Sequence, residues 1–222
     1  MPHATATQMT DTKVKKRRDG TVLLIILRCE TAVCRPEPTS FYNAPMAAHA
    51  HRDHGHGEHS DKHAVHLALI DRLRRQAADV RRLTSGIPEE KLSAPTVPGK
   101  WSLKELACHF RRMEEIFAER FHRIMTENDA VIVAYDNPDA DPRFLELKKM
   151  PTEQVVADYL RERETLCRKL ESLSPADWHR KARHPEFPYY DVHFQAEYMA
   201  HHEAHHIYQL FQRRIPLGKL PH

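Results

Sequence analysis

The amino-acid sequence predicts an all-α protein folded as a four-helix bundle, preceded by a disordered N-terminal extension. Four long stretches carry apolar residues at intervals of three and four, the period of an amphipathic helix. No convincing strand pattern occurs. Only 6 of the 222 residues are glycine, which leaves few residues for the turns of an all-β protein. Together these observations favour an antiparallel-type bundle.

The first two helices have recognisable ends. Helix one is predicted over about residues 62–85, because Gly86 follows the last of its apolar positions. Helix two is predicted to begin at Ser102 and to run to about residue 127. Ser102 and Glu105 have the spacing of a capping box, in which each side chain accepts a hydrogen bond from the other residue's backbone N–H.

The last two helices follow a long connection. Residues 136–142 read DNPDADP, which predicts an irregular loop of the kind that often covers a functional site. Helix three is predicted from Thr152 to about Leu173, and helix four from just after Asp191 to about Arg214. The four helices place the bundle domain at residues 62–222.

The N-terminal part of the chain does not resemble a packed domain. Residues 1–61 are predicted to be a disordered extension, and the more coherent sequence opens at Met46, which suggests a native start there. A histidine-rich tract begins in this region and continues past residue 61; it acts either as a flexible chelator or as a solvated tail whose metal affinity is incidental. The tract comprises His49, His51, His54, His56, His59, His63 and His66.

Charge, apolar runs and cysteines exclude several classes. Residues 1–45 hold seven basic and four acidic residues, so the rest of the chain is neutral and has no electrostatic footprint for a nucleic acid. The longest apolar run, Thr21–Leu27, is too short to cross a membrane. The four cysteines have no metal-finger or redox spacing, which favours a reducing cytoplasmic location. We therefore expect neither a nucleic-acid nor a membrane partner.

Helix four contains the run His201-His202-Glu203-Ala204-His205-His206. Two histidines at positions i and i+4 lie on one helix face, close enough for both imidazoles to reach one cation. The run offers two such pairs, His201/His205 and His202/His206. Periodicity alone does not choose between them.

Helix two supplies a candidate third ligand, His109. It lies three residues after Leu106 and four before Met113, so its side chain is predicted to point into the bundle. A lone inward histidine is more often a core residue with hydrogen-bond partners than a ligand. A histidine pair on another helix of the same bundle reverses that preference, because three neutral nitrogens with an open position are typical of catalytic transition-metal sites.

Two sequence elements resemble a known family. Lys100-Trp101-Ser102 is followed seven residues later by His109, and His202, His206 and Gln209 form H-x-x-x-H-x-x-Q. In this order on a four-helix chain, the elements resemble the DinB-like (DinB/YfiT-like) superfamily of metalloenzymes over about residues 62–214.

The resemblance implies a site and an activity. His109, His202 and His206 would be the metal ligands, and the register of Gln209 favours this pair over His201/His205. Characterised relatives include S-transferases and isomerases that use low-molecular-weight thiols. We therefore expect a thiol-dependent S-transferase or hydrolase acting on a small-molecule substrate, with a divalent transition metal (zinc, nickel, manganese or iron) and a low-molecular-weight thiol as co-substrate.

Two further interpretations stay open. The same histidines would serve a non-catalytic, stress-related metal-binding bundle, since the candidate groups for turnover are only Gln209 and the tyrosines Tyr159, Tyr198 and Tyr208. Alternatively, the chain is a helical interaction module whose histidines cluster by chance. Glu203 is expected to be solvated. Exposed helix faces are compatible with a homodimer, although amphipathicity does not identify a dimer face.

Overall fold

The computed structural model describes residues 58–135 and 138–220, with side chains from residue 63 onward. The predicted extension and most of its histidine tract lie outside these residues. Over the described residues the chain forms six α-helices: α1 (Glu58–Thr84), α2 (Glu89–Ser93), α3 (Leu103–Thr126), α4 (Pro142–Leu147), α5 (Thr152–Glu171) and α6 (Val192–Arg214).

The four long helices α1, α3, α5 and α6 form the predicted bundle, and their bounds lie close to the predicted ones. The main difference is that α1 begins at Glu58, before residue 62. Between the helices, the described residues contain isolated β-bridges, Val131 with Arg183 and Lys181 with Asp191, and no strand. The all-α fold class is confirmed. In this part of the chain no helix combines the length and apolar character needed to span a membrane.

The order of the helices around the bundle differs from that of a simple up-and-down chain. Helices α1 and α3 each pack mainly against α5 and α6 and contact one another little. Helices α3 and α5 run parallel, because Phe110 contacts Tyr159 near the start of both helices and Glu114 contacts Arg163 further along both. Helices α1 and α3 therefore occupy one diagonal of the bundle and α5 and α6 the other, with α3 and α5 as parallel neighbours. The prediction of an antiparallel-type bundle did not anticipate this arrangement.

The long connection between α3 and α5 explains this parallel pair. It returns along α3, and Phe144 and Leu147 of α4 pack against Cys108 of α3 and Val155 of α5. The predicted irregular loop is in part regular structure: a 3-10 turn covers Pro138–Ala140, and α4 follows it. The loop prediction missed α4 because proline, usually a helix breaker, is favourable at the first position of a helix.

The buried apolar residues form one large cluster and two smaller ones. The large cluster fills the half of the bundle where α6 begins. A second cluster, which includes Leu106, Phe110, Tyr159 and Leu210, fills the half where α3 begins. A small, mainly apolar cavity lined by Phe121 and Met199 among others lies in the large cluster and includes none of the candidate metal ligands.

Candidate metal centre

The start of α3 fixes the position of His109. The Ser102 hydroxyl oxygen accepts a hydrogen bond from the Glu105 backbone N–H at 3.1 Å, and a Glu105 carboxylate oxygen accepts one from the Ser102 N–H at 2.9 Å. The predicted capping box is therefore confirmed. His109 follows two turns later, between buried Leu106 and Met113, and is only 5% exposed. Its side chain points into the bundle, as the periodicity predicted.

Helix α6 brings His202 and His206 to His109. The Nε2 atom of His202 lies 3.2 Å from that of His109 and 2.7 Å from that of His206. One ring nitrogen from each of the three residues lies within 4.8 Å of the others. Three imidazoles from two helices thus present nitrogen atoms to one point.

The alternative pair points away from this centre. His201 and His205 are exposed on α6. The His201 Nε2 atom lies 3.5 Å from a carboxylate oxygen of Glu197, and the His205 Nε2 atom lies 3.0 Å from the Gln209 amide nitrogen. Of the two pairs that the sequence left open, the structure places His202/His206 beside His109.

The outer nitrogen atoms of the three imidazoles have different surroundings. His206 Nδ1 lies 2.9 Å from the amide oxygen of Gln209. An amide oxygen can only accept, so His206 carries its proton on Nδ1 and keeps the Nε2 lone pair for the centre. The Nδ1 atoms of His109 and His202 are buried and have no hydrogen-bond partner within the described part of the chain. The Trp101 ring covers His109, with ring centroids 5.1 Å apart.

All three imidazoles are held in their neutral form. Burial lowers the pKa of His109 well below its usual value, and His206 and His202 add to this effect. Burial also lowers the pKa of His202 to about 4 and that of His206 to about 3. Desolvation disfavours a charged imidazole, so the ring nitrogens keep their lone pairs at neutral pH. A neutral imidazole is the form that binds a metal.

The donor set fits a divalent transition metal. Three nitrogen ligands at a metal–nitrogen distance of about 2.0–2.1 Å lie about 3.3 Å apart in tetrahedral geometry, similar to the observed separations. Gln209 holds the proton of His206 on the opposite nitrogen, so the Nε2 lone pair of His206 faces the other two imidazoles. A cation would accept all three lone pairs. Imidazole ligands suit zinc, copper, iron and nickel, so the donor set does not select among these metals.

A buried ionic cluster lies next to the three histidines. Arg163 of α5 donates hydrogen bonds to Glu114 of α3 at 3.0 Å, to Glu203 of α6 at 2.8 Å and to the Leu73 carbonyl of α1 at 3.2 Å. The Tyr159 hydroxyl donates to Glu203 at 3.2 Å. One guanidinium thus joins all four long helices.

The expectation that Glu203 is solvated was wrong. Glu203 is 3% exposed, because the side of α6 that it occupies faces Tyr159 and Arg163 of α5 rather than water. The sequence carried a signal for this cluster. Glu114 and Arg163 stand within the apolar stripes of their helices, one residue after Met113 and four after Tyr159, and charged residues at such positions are rarely buried without partners.

The predicted candidate tyrosines lie in three different environments. Tyr198 is partly buried, and its ring centroid lies 5.9 Å from that of His202. Tyr159 is buried and bound to Glu203, whereas Tyr208 is exposed. Of the three, Tyr198 is the one whose ring contacts a histidine of the centre.

The described cysteines are unsuited to nucleophilic catalysis. Cys108 and Cys167 are buried and unpaired. Burial raises the pKa of both thiols to about 12, so neither forms a thiolate at neutral pH.

One member of the histidine-rich tract was misplaced. His66 is 7% exposed and stacks on Trp178, with ring centroids 4.0 Å apart. Helix α1 extends through His66. This residue therefore belongs to the packed bundle and not to a flexible tail. His63 is exposed, and the side chains of the earlier tract histidines lie outside the described residues.

Comparison with known proteins agrees with this architecture. The sequence model of the DinB superfamily matches residues 72–210. Among solved structures, the chain is similar to YfiT from Bacillus subtilis, described as a probable metal-dependent hydrolase with an unusual four-helix bundle topology. The TM-score is 0.60 at 18% identity, with 78% of this chain and 96% of that chain covered. A search of the curated proteins found no match.

The family match spans more than half of the chain, so the protein belongs to the DinB superfamily. The similarity to YfiT shows the fold.

Proposed function

We propose that this protein is a metal-dependent enzyme in which His109, His202 and His206 hold one divalent transition-metal cation, and that it acts on a small molecule as a hydrolase or thiol-dependent S-transferase. The convergence of three Nε2 atoms carries this proposal. A bound cation would supply Lewis acidity and lower the pKa of a water or thiol that it coordinates.

The ligands themselves would favour strong Lewis acidity. Three neutral imidazoles add no negative charge, so they leave the full charge of a dication available. Gln209 fixes the tautomer of His206, and Trp101 covers His109 against water. Burial raises the pKa of Tyr198, which keeps its hydroxyl protonated as a donor to an anion that develops near His202.

The thiol-dependent activity finds support in the state of the cysteines. The cysteines of the described residues, Cys108 and Cys167, are buried thiols with raised pKa values and offer no thiolate, so a small-molecule co-substrate would supply the thiol nucleophile at the histidines. The hydrolase activity finds support in YfiT, which has the same fold and is described as a probable metal-dependent hydrolase. Both activities would use the same three histidines.

Metal stoichiometry tests the site. The full chain, prepared without a metal-affinity column, is loaded with zinc, dialysed and measured by elemental analysis beside His109→Ala. The histidine-rich tract is present in both proteins, so its ions cancel in the difference. We expect His109→Ala to hold about one ion per chain less than the parent, and the exposed control His201→Ala to match the parent. Equal stoichiometry in the parent and His109→Ala would refute the site.

A non-catalytic metal-binding role is the second candidate. It is favoured by the chemistry around the histidines, where the described residues offer Tyr198 and no contacting carboxylate as a proton donor or acceptor. Incubation of the loaded protein with ester substrates, and with a thiol plus an electrophile, separates the two roles. Product formation that His206→Ala abolishes supports the enzyme, and its absence over the whole panel supports the binding protein.

A further inference from the structure

Arg120 of α3 is a buried cation without a carboxylate partner. It is 8% exposed, it donates a hydrogen bond to the Val133 carbonyl at 2.7 Å, and its guanidinium lies 5.9 Å from the Phe117 ring centroid. Among the described residues, no carboxylate forms an ion pair with it. Arg163 is only 1% exposed and contacts two carboxylates.

A buried guanidinium that contacts no carboxylate is unusual. Buried charges are normally paired, because removing an ion from water is expensive unless an opposite charge lies beside it. The Val133 carbonyl, the Tyr190 hydroxyl and an aromatic face satisfy only part of the Arg120 guanidinium, whose planar N–H groups match a carboxylate in bidentate fashion. Arg120 is therefore equipped to bind an anion that the chain itself does not supply.

The position of Arg120 relates it to the three histidines. The Phe117 ring beneath its guanidinium lies 6.2 Å from the Tyr198 ring, and Tyr198 lies 5.9 Å from His202. Burial lowers the pKa of His184 and of His202; the charge of Arg120 adds to this effect at His184, and at His202 it does so after that of His205. Arg120 and His202 thus lie along the same α3/α6 interface, with the buried Phe117 ring and the partly buried Tyr198 ring between them.

The charges around this stretch favour an anion. The three ligands are neutral, so a dication bound to them would keep its charge, and Arg120 adds another positive charge nearby. The carboxylates of Glu114 and Glu203 are already bound to Arg163, and the Glu186 carboxylate, which acts on Tyr198, is exposed to solvent. A dication on the three histidines and the Arg120 guanidinium would place positive charge at both ends of this stretch, which favours an organic acid as the ligand.

We propose that Arg120 forms an anion-binding subsite of the three-histidine centre, and that the small molecule bound there carries a carboxylate at the end away from the metal. This inference rests on the proposed function, since it places the other end of the molecule on the cation. It assigns the substrate class as small organic acids, or as thiol co-substrates that carry a carboxylate.

Two matched thiols test the subsite. The full chain is loaded with cobalt(II), and sulfur-to-cobalt absorption is titrated with 3-mercaptopropionate and with its neutral analogue 3-mercapto-1-propanol, with His206→Ala as the background. We expect the acid to bind at least about tenfold more tightly than the alcohol, the usual range for a hydrogen-bonded charge pair. Equal affinities of the parent protein for the acid and the alcohol would by themselves overturn the subsite.

Variants locate the effect. Arg120→Gln should abolish the preference for the acid and leave the affinity for the alcohol within about twofold, and Arg120→Lys should retain part of the preference. The control Arg123→Gln removes an exposed arginine that pairs with Glu127 on the same helix and should change neither affinity. A preference that persists in a folded Arg120→Gln protein would assign it to another residue and refute the proposal.

Failure of the metal site is distinguishable from failure of the subsite. If His206→Ala and the parent protein bind cobalt equally, the proposed function fails. The subsite is then tested in the metal-free chain by nuclear magnetic resonance, through the Arg120 Nε–Hε signal that Arg120→Lys removes. A shift of this signal with 3-mercaptopropionate and not with the alcohol supports anion binding, and an unshifted signal overturns it.

Discussion

The Nδ1 atom of His206 lies 2.9 Å from the amide oxygen of Gln209, one helical turn further along α6. This contact gives the H-x-x-x-H-x-x-Q spacing a physical meaning. Residues at i and i+3 lie on one helix face, so the amide reaches the outer nitrogen of the imidazole whose inner nitrogen faces His109. Gln209 therefore orients a candidate ligand without contacting the centre.

Replacement of Gln209 by leucine should weaken metal binding. The variant leaves Nδ1 of His206 without an acceptor and frees the imidazole to change tautomer, so we expect the zinc affinity to fall about 10- to 100-fold. Competition with a chromophoric chelator measures the affinity. The control Gln212→Leu changes an exposed glutamine of the same helix and should match the parent. An unchanged affinity in Gln209→Leu would show that this hydrogen bond does not orient the ligand.

Replacement of Arg163 by methionine should destabilise the metal-free protein by about 3–5 kcal/mol, because it leaves two buried carboxylates without their counter-ion. Urea unfolding measures the loss. The triple variant Glu114→Gln/Arg163→Met/Glu203→Gln removes those charges as well and should recover a large part of the stability. A loss below about 1 kcal/mol in the single variant would contradict a structural role for the cluster.

The stability of the metal-free protein should fall in acid partly through His66. Burial lowers the pKa of His66 to about 4, from 6.5 in the unfolded chain. As the pH falls below about 6.5, the unfolded chain takes up a proton that the folded chain excludes. The free energy of unfolding therefore decreases by up to about 1.4 kcal/mol per pH unit until about pH 4. The titratable groups that face His66 are His193, His179, His63 and Asp191.

A phenylalanine at position 66 isolates this contribution. His66→Phe keeps a ring against Trp178 but cannot be protonated, so its unfolding free energy should depend less steeply on pH between 6.5 and 4 than that of the parent. His122→Phe, an exposed histidine on α3, serves as the control and should keep the slope of the parent. Identical slopes for His66→Phe and the parent would exclude His66 as the source.

Loss of the α3 capping box should reduce stability without removing the centre. Ser102→Ala leaves the Glu105 N–H without its side-chain acceptor and should cost about 1 kcal/mol in urea unfolding. The zinc stoichiometry should stay that of the parent, because α3 retains its tertiary contacts. The matched control is Ser93→Ala, which changes an exposed serine. An equal loss of unfolding free energy in both variants would contradict a capping role for Ser102.

Features that depend on residue spacing within a single helix were predictable from the sequence. The capping box and the inward orientation of His109 follow from spacing within about two turns of α3. Glu203 was not predictable in this way, because its burial depends on Tyr159 and Arg163 of a helix forty residues or more away in the chain. The expectation that Glu203, between the candidate ligands His202 and His206, faces water failed for that reason.

By itself, the sequence determined that this chain forms four long amphipathic helices, approximately where each one ends, and that two histidine pairs and one inward histidine lie on them. Only the tertiary structure decided which pair meets His109 and that α3 and α5 run parallel. It also decided that, within residues 58–135 and 138–220, Arg120 contacts no carboxylate while Arg163 contacts two. The physical reason is that periodicity records the faces of one helix, whereas partners, charge pairing and desolvation depend on which faces of different helices pack together.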